Sequence, residues 1–106
     1  MNPYMTFGEA LEALNDGAFV AREGWNGKGM FLYKVEASDV TYNRLRGRCK
    51  NAIDYAYKQV KDDESQIVQK TVHINAHIDM KAADGSIIVG WSATQTDMQA
   101  NDWYFV

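Results

Sequence analysis

The dipeptide Asp84-Gly85 lies between two apolar segments and constrains the fold more than any other feature of the sequence. On its N-terminal side, apolar and polar residues alternate from Val72 to Asp79, as in a β-strand with one polar face. On its C-terminal side, residues 86–89 read Ser-Ile-Ile-Val. Asp-Gly is a typical hairpin turn, so the two segments should pair as antiparallel strands.

A helix is expected near the N-terminus. Thr6 is followed three residues later by Glu9, which is the spacing of a capping box. Four apolar residues then share one helical stripe: Phe7, Ala10, Leu11 and Leu14. Gly17 stands where a C-terminal cap requires positive φ, so we predict the first helix over residues 7–16.

Three further segments carry the branched and aromatic residues typical of strands: 18–22, 30–35 and 103–106. The first two flank a loop, residues 23–29, that contains three glycines. A polar segment over residues 92–102 precedes the last strand, and we expect a short helix or an irregular turn there.

The middle of the chain returns to helical spacing. Apolar residues recur every three or four positions at Leu45, Cys49, Ile53, Ala56 and Val60. This spacing predicts a second helix over about residues 41–61, with Gly47 lowering its stability by roughly 1 kcal/mol relative to alanine. Because Cys49 belongs to the apolar stripe, we interpret it as a core residue.

These elements predict an α+β fold. We expect one small domain, residues 1–106, with a twisted, mostly antiparallel sheet and two main helices. Its strands should lie near residues 19, 32, 75, 88 and 104. Aromatic residues make up 12% of this small chain, so part of its apolar surface should be covered in a homo-oligomer.

Charge and composition exclude several function classes. The formal net charge is -3, which gives the chain no electrostatic reason to bind DNA or RNA. Its single cysteine cannot form an intramolecular disulfide, and no apolar run reaches the roughly 18 residues of a membrane span. We therefore expect a cytosolic protein with no membrane partner.

We expect this protein to have no metal site, no cofactor and no catalytic residues. His73 and His77 have the spacing of a zinc protease motif, but Ile74 stands where that motif requires a glutamate. A solvated or interfacial strand face explains the pair better. Because the motifs of hydrolases, kinases and dehydrogenases are also absent, the sequence favours binding over catalysis.

Two tryptophans, Trp25 and Trp91, each follow a glycine and lie outside the helix and strand periodicity. Loop tryptophans often cap a core, but an indole can also stack on a purine, which stabilises binding by about 1–3 kcal/mol per base. Side chains suited to base edges and ribose hydroxyls lie beside them in the sequence: Asn26, Ser92, Thr94, Gln95, Thr96 and Asp97. This pattern favours a nucleotide-like small molecule.

The middle region is basic. Its cations include Arg44, Arg46, Arg48 and Lys50. They are either a solvated helix face or a phosphate-binding patch, since a guanidinium offers a planar fork that matches phosphate oxygens. Charge alone does not separate these two interpretations.

Two segments of the chain contain several short motifs whose combination is specific enough to identify a family. Residues 5–33 read MTFGEALEALNDGAFVAREGWNGKGMFLY, and residues 78–106 read IDMKAADGSIIVGWSATQTDMQANDWYFV. They closely resemble the Thoeris anti-defence two family of phage proteins. The resemblance rests on the order of FGEALEAL, REGWNGKGM, DMKAADG, GW and QTDM…DW, and it covers more than half of the chain.

The resemblance implies a phage-encoded protein in the cytoplasm of the infected bacterium. Such a protein binds and sequesters, without cleaving, cyclic ADP-ribose isomers of the glycocyclic type, which Toll/interleukin-1 receptor-domain enzymes of Thoeris defence produce. It also implies a homo-oligomer, typically a tetramer, with ligand pockets between subunits. Some relatives also capture cyclic dinucleotides of CBASS defence, for which the four basic residues offer a second, phosphate-binding site.

The resemblance also implies roles for individual residues. Trp25 and Trp91 match family positions and are expected as stacking surfaces or pocket walls. Five polar residues are expected to hold ribose hydroxyls or the adenine edge: Asn26, Asp79, Gln95, Thr96 and Asp97.

The sequence departs from the family pattern in two places. Val89 stands where many members have a proline before Gly-Trp, and residues 34–77 form a longer middle region than the minimal pattern. Two other functions remain open: an enzyme that hydrolyses the same nucleotide with Asp97 or Asp79 as general base, and a protein-binding module that uses the basic helix.

Overall fold

The fold combines helices with antiparallel sheets, which confirms the predicted α+β class. A computed structural model describes residues 2–60 and 70–106. The helices described are α1 (Phe7–Asn15), α2 (Gly47–Val60) and α3 (Gln95–Gln99), with short 3-10 helices at Glu23–Trp25 and Tyr42–Arg44. The strands are β1 (Val20–Arg22), β2 (Phe31–Val35), β3 (Ser38–Thr41), β4 (Thr71–Ile74), β5 (His77–Lys81), β6 (Ile87–Ile88) and β7 (Trp103–Phe105).

The chain divides into two compact units. The first comprises residues 1–36 and 76–106, and the second comprises residues 37–75. None of the helices in the described part of the chain is long and apolar enough to cross a membrane.

The first unit contains a five-stranded antiparallel sheet in the order β6-β5-β2-β1-β7. β2 and β5 pair from Phe31 opposite Lys81 to Val35 opposite His77. β1 pairs with β7, which places Arg22 opposite Trp103. This register brings the charged end of β1 beside the C-terminal strand.

Helix α1 begins at the predicted capping box. The Thr6 hydroxyl accepts from the Glu9 backbone N–H at 3.2 Å, and the Glu9 carboxylate accepts from the Thr6 N–H at 2.9 Å. Ala10 and Leu14 of the predicted stripe are buried, and Gly17 follows the helix with φ of 92°. Local sequence chemistry therefore determines both ends of α1.

The core of the first unit surrounds Trp103, the largest fully buried side chain. Its centre is formed by Ala10, Ala13, Leu14, Val20, Leu32, Met80 and Trp103. The ring of Trp103 has its centroid 5.5 Å from Phe7, 5.3 Å from Trp25 and 6.2 Å from Trp91. Trp103 therefore joins helix α1 to both of the tryptophans singled out in the sequence.

The Asp84-Gly85 hairpin and the late helix are both confirmed. Gly85 has φ of 92°, and the Asp84 carboxylate accepts from the Ser86 N–H at 2.9 Å, between β5 and β6. The polar segment after Trp91 contains helix α3.

The prediction of one strand from Val72 to Asp79 is wrong. β4 pairs with β3 in a separate two-stranded sheet, whereas β5 belongs to the five-stranded sheet. Asn75 and Ala76 separate the two strands. The alternation in the sequence continues across the break because a period of two is common to all strands and does not identify a partner strand. β5 also lacks the expected polar face, since Asp79 is buried.

The prediction for the middle helix is wrong at its start and in part of its buried face: Leu45 is buried and Ile53 half-buried, as expected, but Ala56 is exposed. The expected end of the helix near residue 61 lies outside the described residues. α2 begins at Gly47, six residues later than expected.

Half-buried residues recur at helical spacing, but at positions 50, 53, 54 and 57. Tyr57 contacts the Tyr42 ring, with centroids 6.2 Å apart, so an aromatic contact orients this helix. Cys49 is exposed and is not a core residue.

We predict that Trp103→Ala lowers the free energy of unfolding by about 3–5 kcal/mol, because it removes a fully buried ring contacted by three others. Urea denaturation followed by circular dichroism measures this change. Tyr55→Ala, at a residue that is 67% exposed, is the control and should change stability by less than about 0.5 kcal/mol. Equal losses from the two variants would contradict this description of the core.

Candidate functional site

The candidate site is an open depression of about 380 Å³. It is lined by Arg22, Gln95, Thr96, Gln99 and Ala100. The structure thus brings two of the predicted site residues, Gln95 and Thr96, to one place on α3, where both are exposed. Arg22, at the end of β1, was not predicted.

Arg22 connects three parts of the chain. Its Nε and Nη2 donate to the two oxygens of Asp102 at 2.9 and 3.3 Å. Its Nη1 donates to Asp97 Oδ1 at 2.7 Å. The side chain of Arg22 is only 12% exposed, so these charge-assisted bonds are largely shielded from water. β1, α3 and the segment before β7 are therefore held together at the depression.

All three members of this network stay charged at neutral pH. The hydrogen bond to Asp102 raises the pKa of Arg22 further above its ordinary value, and the same bond lowers the pKa of Asp102. Burial alone would raise the pKa of Asp97, but hydrogen bonds from Thr94 and Arg22 hold it below its usual range. One guanidinium is thus matched by two carboxylates, and the network carries a net charge of about -1.

Asp97 also begins helix α3. Its backbone N–H donates to the Thr94 hydroxyl at 3.1 Å, and the Thr94 N–H donates to Asp97 Oδ2 at 3.0 Å, which completes a capping box. Since Oδ1 accepts from Arg22, both carboxylate oxygens are engaged. The Trp103 indole N–H donates to the Asp97 backbone carbonyl at 3.0 Å. Asp97 therefore connects the depression to the core.

A glycine makes the Arg22–Asp102 contact possible. The Gly24 N–H donates to Asp102 Oδ2 at 2.8 Å. A Cβ atom at Gly24 would lie 2.8 Å from Arg22 Nη2 and 3.0 Å from Asp102 Oδ2, so any other residue would displace the pair. Arg22 lies in the motif REGW, and Asp102 lies in the motif QTDM…DW. One sequence signal could have identified Arg22: it is a charged residue at the end of an apolar strand.

Trp25 and Trp91 meet edge to face, with centroids 6.3 Å apart and planes at 72°. Both are partly buried and pack against the core cluster. Their buried parts cap the core, which is one of the two interpretations of the sequence, and the remaining parts are accessible to a ligand. Asn26 follows Trp25 on an exposed left-handed position, with φ of 65°.

Asp79 holds the Gly90-Trp91 turn. Its side chain is 6% exposed, and Oδ1 accepts from the Gly90 N–H at 2.9 Å, where Gly90 has φ of 75°. Oδ2 lies 3.6 Å from His77 Nε2. The Trp91 N–H donates to the Ile78 carbonyl at 2.8 Å. Asp79 does not line the depression and instead positions Trp91.

The four basic residues of the predicted second site lie in the second unit and differ in their contacts. Lys50 donates to Asp54 at 2.9 Å, and this bond raises the pKa of Lys50. Arg46 donates to two backbone carbonyls, at 2.8 and 3.1 Å. Arg44 and Arg48 are exposed. These two arginines are therefore better candidates than Arg46 and Lys50 for binding an anion.

The two histidines also have acidic neighbours. His73 Nδ1 lies 2.9 Å from Asp39 Oδ1 in the second unit, whereas His77 faces Asp79 in the first. Within residues 2–60 and 70–106, no three His, Cys, Asp or Glu side chains are grouped so that they could hold a metal ion.

The comparisons with known proteins agree with each other. Residues 5–106 match the family model described as the Thoeris anti-defense 2-like domain. The chain is also 37% identical over 106 residues to Thoeris anti-defense 2 of Bacillus phage SP01, in an alignment that covers all of this chain and 99% of that protein. The chain therefore belongs to the Thoeris anti-defense 2-like family, which confirms the resemblance. Since the alignment runs from end to end, the expected longer middle region is not an addition relative to this phage protein.

We predict that acid destabilises the protein through the Arg22 network. The pKa values of Asp97 and Asp102 are below their ordinary 3.8 in the folded state, so their contribution is fully present above that value. It is lost as the pH falls through the lower, folded-state pKa values. The contribution of this network to the free energy of unfolding should thus be nearly constant from pH 7 to about 5 and decrease below about 4.

Asp102→Asn tests the origin of this loss. It should lower stability at pH 7 by about 1.5–3 kcal/mol and flatten the acid dependence, because the hydrogen bonds from Arg22 lose their charged acceptor. Glu12→Gln, at an exposed position of α1, is the matched control and should retain the full acid dependence. Identical acid profiles for the two variants would exclude the network as the cause.

Proposed function

We propose that this protein counteracts Thoeris defence by binding a cyclic ADP-ribose isomer of the glycocyclic type and holding it intact. The observation that carries the proposal is the match to the Thoeris anti-defense 2-like family over residues 5–106. The phage origin of the relative supports a phage-encoded protein that acts in the cytoplasm of an infected bacterium.

The ligand site we propose is the depression on α3, with the exposed parts of Trp25 and Trp91 as nearby walls. Its volume of about 380 Å³ is near the lower end of the range for small-molecule pockets. The polar groups at its rim, Gln95, Thr96 and Gln99, suit the hydroxyls and base edge of a nucleotide. In this proposal Asp79 and Asp97 position the site, and the ligand is contacted by their neighbours.

A second copy of the chain would close the depression. We propose a homotetramer with pockets between subunits, as the resemblance implies. Large side chains with apolar surface are exposed in the first unit and support an interface: Tyr4, Phe19, Ile87, Ile88, Val89, Met98, Phe105 and Val106.

Sequestration is favoured over hydrolysis by the state of the two aspartates weighed as general bases. A general base needs a pKa near the working pH and a free oxygen near the substrate. Hydrogen bonds lower the pKa of Asp97, and both of its oxygens already accept. Asp79 is buried and accepts from Gly90. Asp97 thus has both oxygens occupied, and the burial of Asp79 keeps its carboxylate away from water.

Capture of cyclic dinucleotides at the basic residues stays a prediction from the resemblance. The exposure of Arg44 and Arg48 is the observation in its favour. The alternative function of the same residues is to bind a protein partner.

We predict that the protein retains the glycocyclic ADP-ribose isomer and releases it unaltered. The purified protein is mixed with the isomer, freed of unbound ligand and examined by native mass spectrometry, then heated so that the released compound can be identified. The expected complex has four chains of 12.0 kDa with ligand bound, and the expected product has the mass and retention time of the starting isomer. An altered product would make the protein an enzyme, and the absence of bound ligand would contradict sequestration.

The location of the site is tested with two variants of equal bulk. Thr96→Phe fills the depression and should weaken binding by about tenfold or more, which corresponds to 1.4 kcal/mol. Thr71→Phe places the same side chain at an exposed position of β4 and should leave the affinity unchanged. Equal affinities for both variants would move the site away from α3.

A further inference from the structure

The dipeptide Asn26-Gly27 follows the 3-10 helix Glu23–Trp25 in the glycine-rich loop. We propose that it is a site of spontaneous modification, at which the Asn26 side chain loses ammonia and leaves an aspartate or an isoaspartate beside Trp25. Asn26 is the only asparagine of the chain that a glycine follows. A glycine favours the reaction because no side chain crowds its nitrogen.

The reaction needs only water and the main chain. The Gly27 nitrogen gives its proton to hydroxide and attacks Asn26 Cγ, and the bond from Cγ to the side-chain nitrogen breaks as ammonia leaves. Water then opens the succinimide ring that has formed. Cleavage between the ring nitrogen and Cγ gives aspartate. Cleavage between that nitrogen and the main-chain carbonyl carbon gives isoaspartate, whose main chain runs through the former side chain. Either product adds one negative charge.

The structure leaves the two residues open to solvent. Asn26 and Gly27 are exposed, and a Cβ atom at Gly27 would have no atom within 4 Å beyond its chain neighbours. Among residues 2–60 and 70–106, the Asn26 side-chain amide has no hydrogen-bond partner. The loop is held on either side, where the Asn26 N–H donates to the Glu23 carbonyl and Lys81 Nζ donates to the Gly29 carbonyl, both at 3.0 Å. Packing therefore does little to oppose the rotation that brings the Gly27 nitrogen to Cγ.

Two other residues that could react in this way are held by hydrogen bonds. Asn15 Oδ1 accepts from Lys34 Nζ at 2.9 Å, and the N–H that follows it donates to carbonyls of α1. Asp84 also precedes a glycine, but its Oδ1 accepts from the Ser86 N–H at 2.9 Å and from the Ser86 hydroxyl at 2.6 Å. The bonds from Ser86 lower the pKa of Asp84, and a carboxylate anion is a poor target for a nucleophile. The fold thus protects Asp84 but not Asn26.

The modification has a consequence for ligand binding, which rests on the proposed function. The new charge would lie beside Trp25, whose exposed part is a proposed wall of the site, and it would repel the diphosphate of a cyclic ADP-ribose isomer. Asn26→Asp reproduces the charge and should weaken binding about three- to tenfold. Asn26→Ser removes the amide without adding charge and should weaken binding less. Equal affinities of the two variants would overturn this consequence.

Peptide mapping tests the modification itself. Folded wild-type protein and a sample denatured in guanidinium chloride are incubated in heavy-oxygen water, which labels every product formed by ring opening. Trypsin digestion and mass spectrometry then follow each site. Residues 23–28 form one tryptic peptide, which contains Asn26. Residues 82–106 form another, which contains both Asp84 and Asn101.

We expect labelled aspartate and isoaspartate at Asn26 in the folded protein, at a rate within about tenfold of the denatured sample, because the loop is already open. Folding should slow the labelling of Asp84 by a larger factor. Asn101 is the internal control, since it is also exposed but is followed by Asp102, and it should react more slowly than Asn26.

The proposal is overturned if Asn26 stays intact in the folded protein, if folding slows it as much as Asp84, or if Asn101 reacts as fast. These outcomes do not depend on the proposed function. A wild-type protein that retains no cyclic ADP-ribose isomer would refute that function, and the peptide of residues 23–28 would still report whether Asn26 is modified.

Discussion

The guanidinium of Arg22 is the group on which the candidate site depends. It joins the end of β1 to α3 and to the segment before β7, through bonds to Asp97 and Asp102 that are 75 and 80 residues away in sequence. The side chains of Asp97 and Asp102 are 8% and 29% exposed, so both are largely shielded from water. Removing either one would leave part of the Arg22 charge partly buried without its partner. These ion pairs therefore hold Arg22, which lines the depression, against α3, which supplies three of the other lining residues.

The same network connects the site to the core. Asp97 accepts from Arg22 with its carboxylate and from the Trp103 indole with its backbone carbonyl. Trp103 in turn contacts both Trp25 and Trp91. The half-buried tryptophans and the polar rim on α3 are therefore positioned by two side chains, one charged and one aromatic. In the proposed function, this arrangement would hold the ligand site in place before binding, and such preorganisation would favour tight sequestration.

Features set by local chemistry were predictable from the sequence. The Thr6 capping box, the Asp84-Gly85 turn and the late helix α3 all depend on residues within a few positions of each other. Gln95 and Thr96 were predicted as site residues from their polar character and the family resemblance; both line the depression, and their contact with a ligand stays a prediction. Arg22 was missed because its role depends on partners that only the tertiary fold brings close. The division between β4 and β5 was missed for a related reason, since alternation does not identify a partner strand.

The central claim is that Arg22 assembles the site locally, without being required for the fold. Native-state hydrogen exchange of Arg22→Met tests it most directly, because methionine keeps an unbranched stem like that of arginine and removes all of its N–H donors. We expect faster exchange in Glu23–Trp25 and Gln95–Gln99 together, with protection retained in α1, β2 and β5. Loss of protection in only one of the two segments, or across the whole sheet, would contradict it.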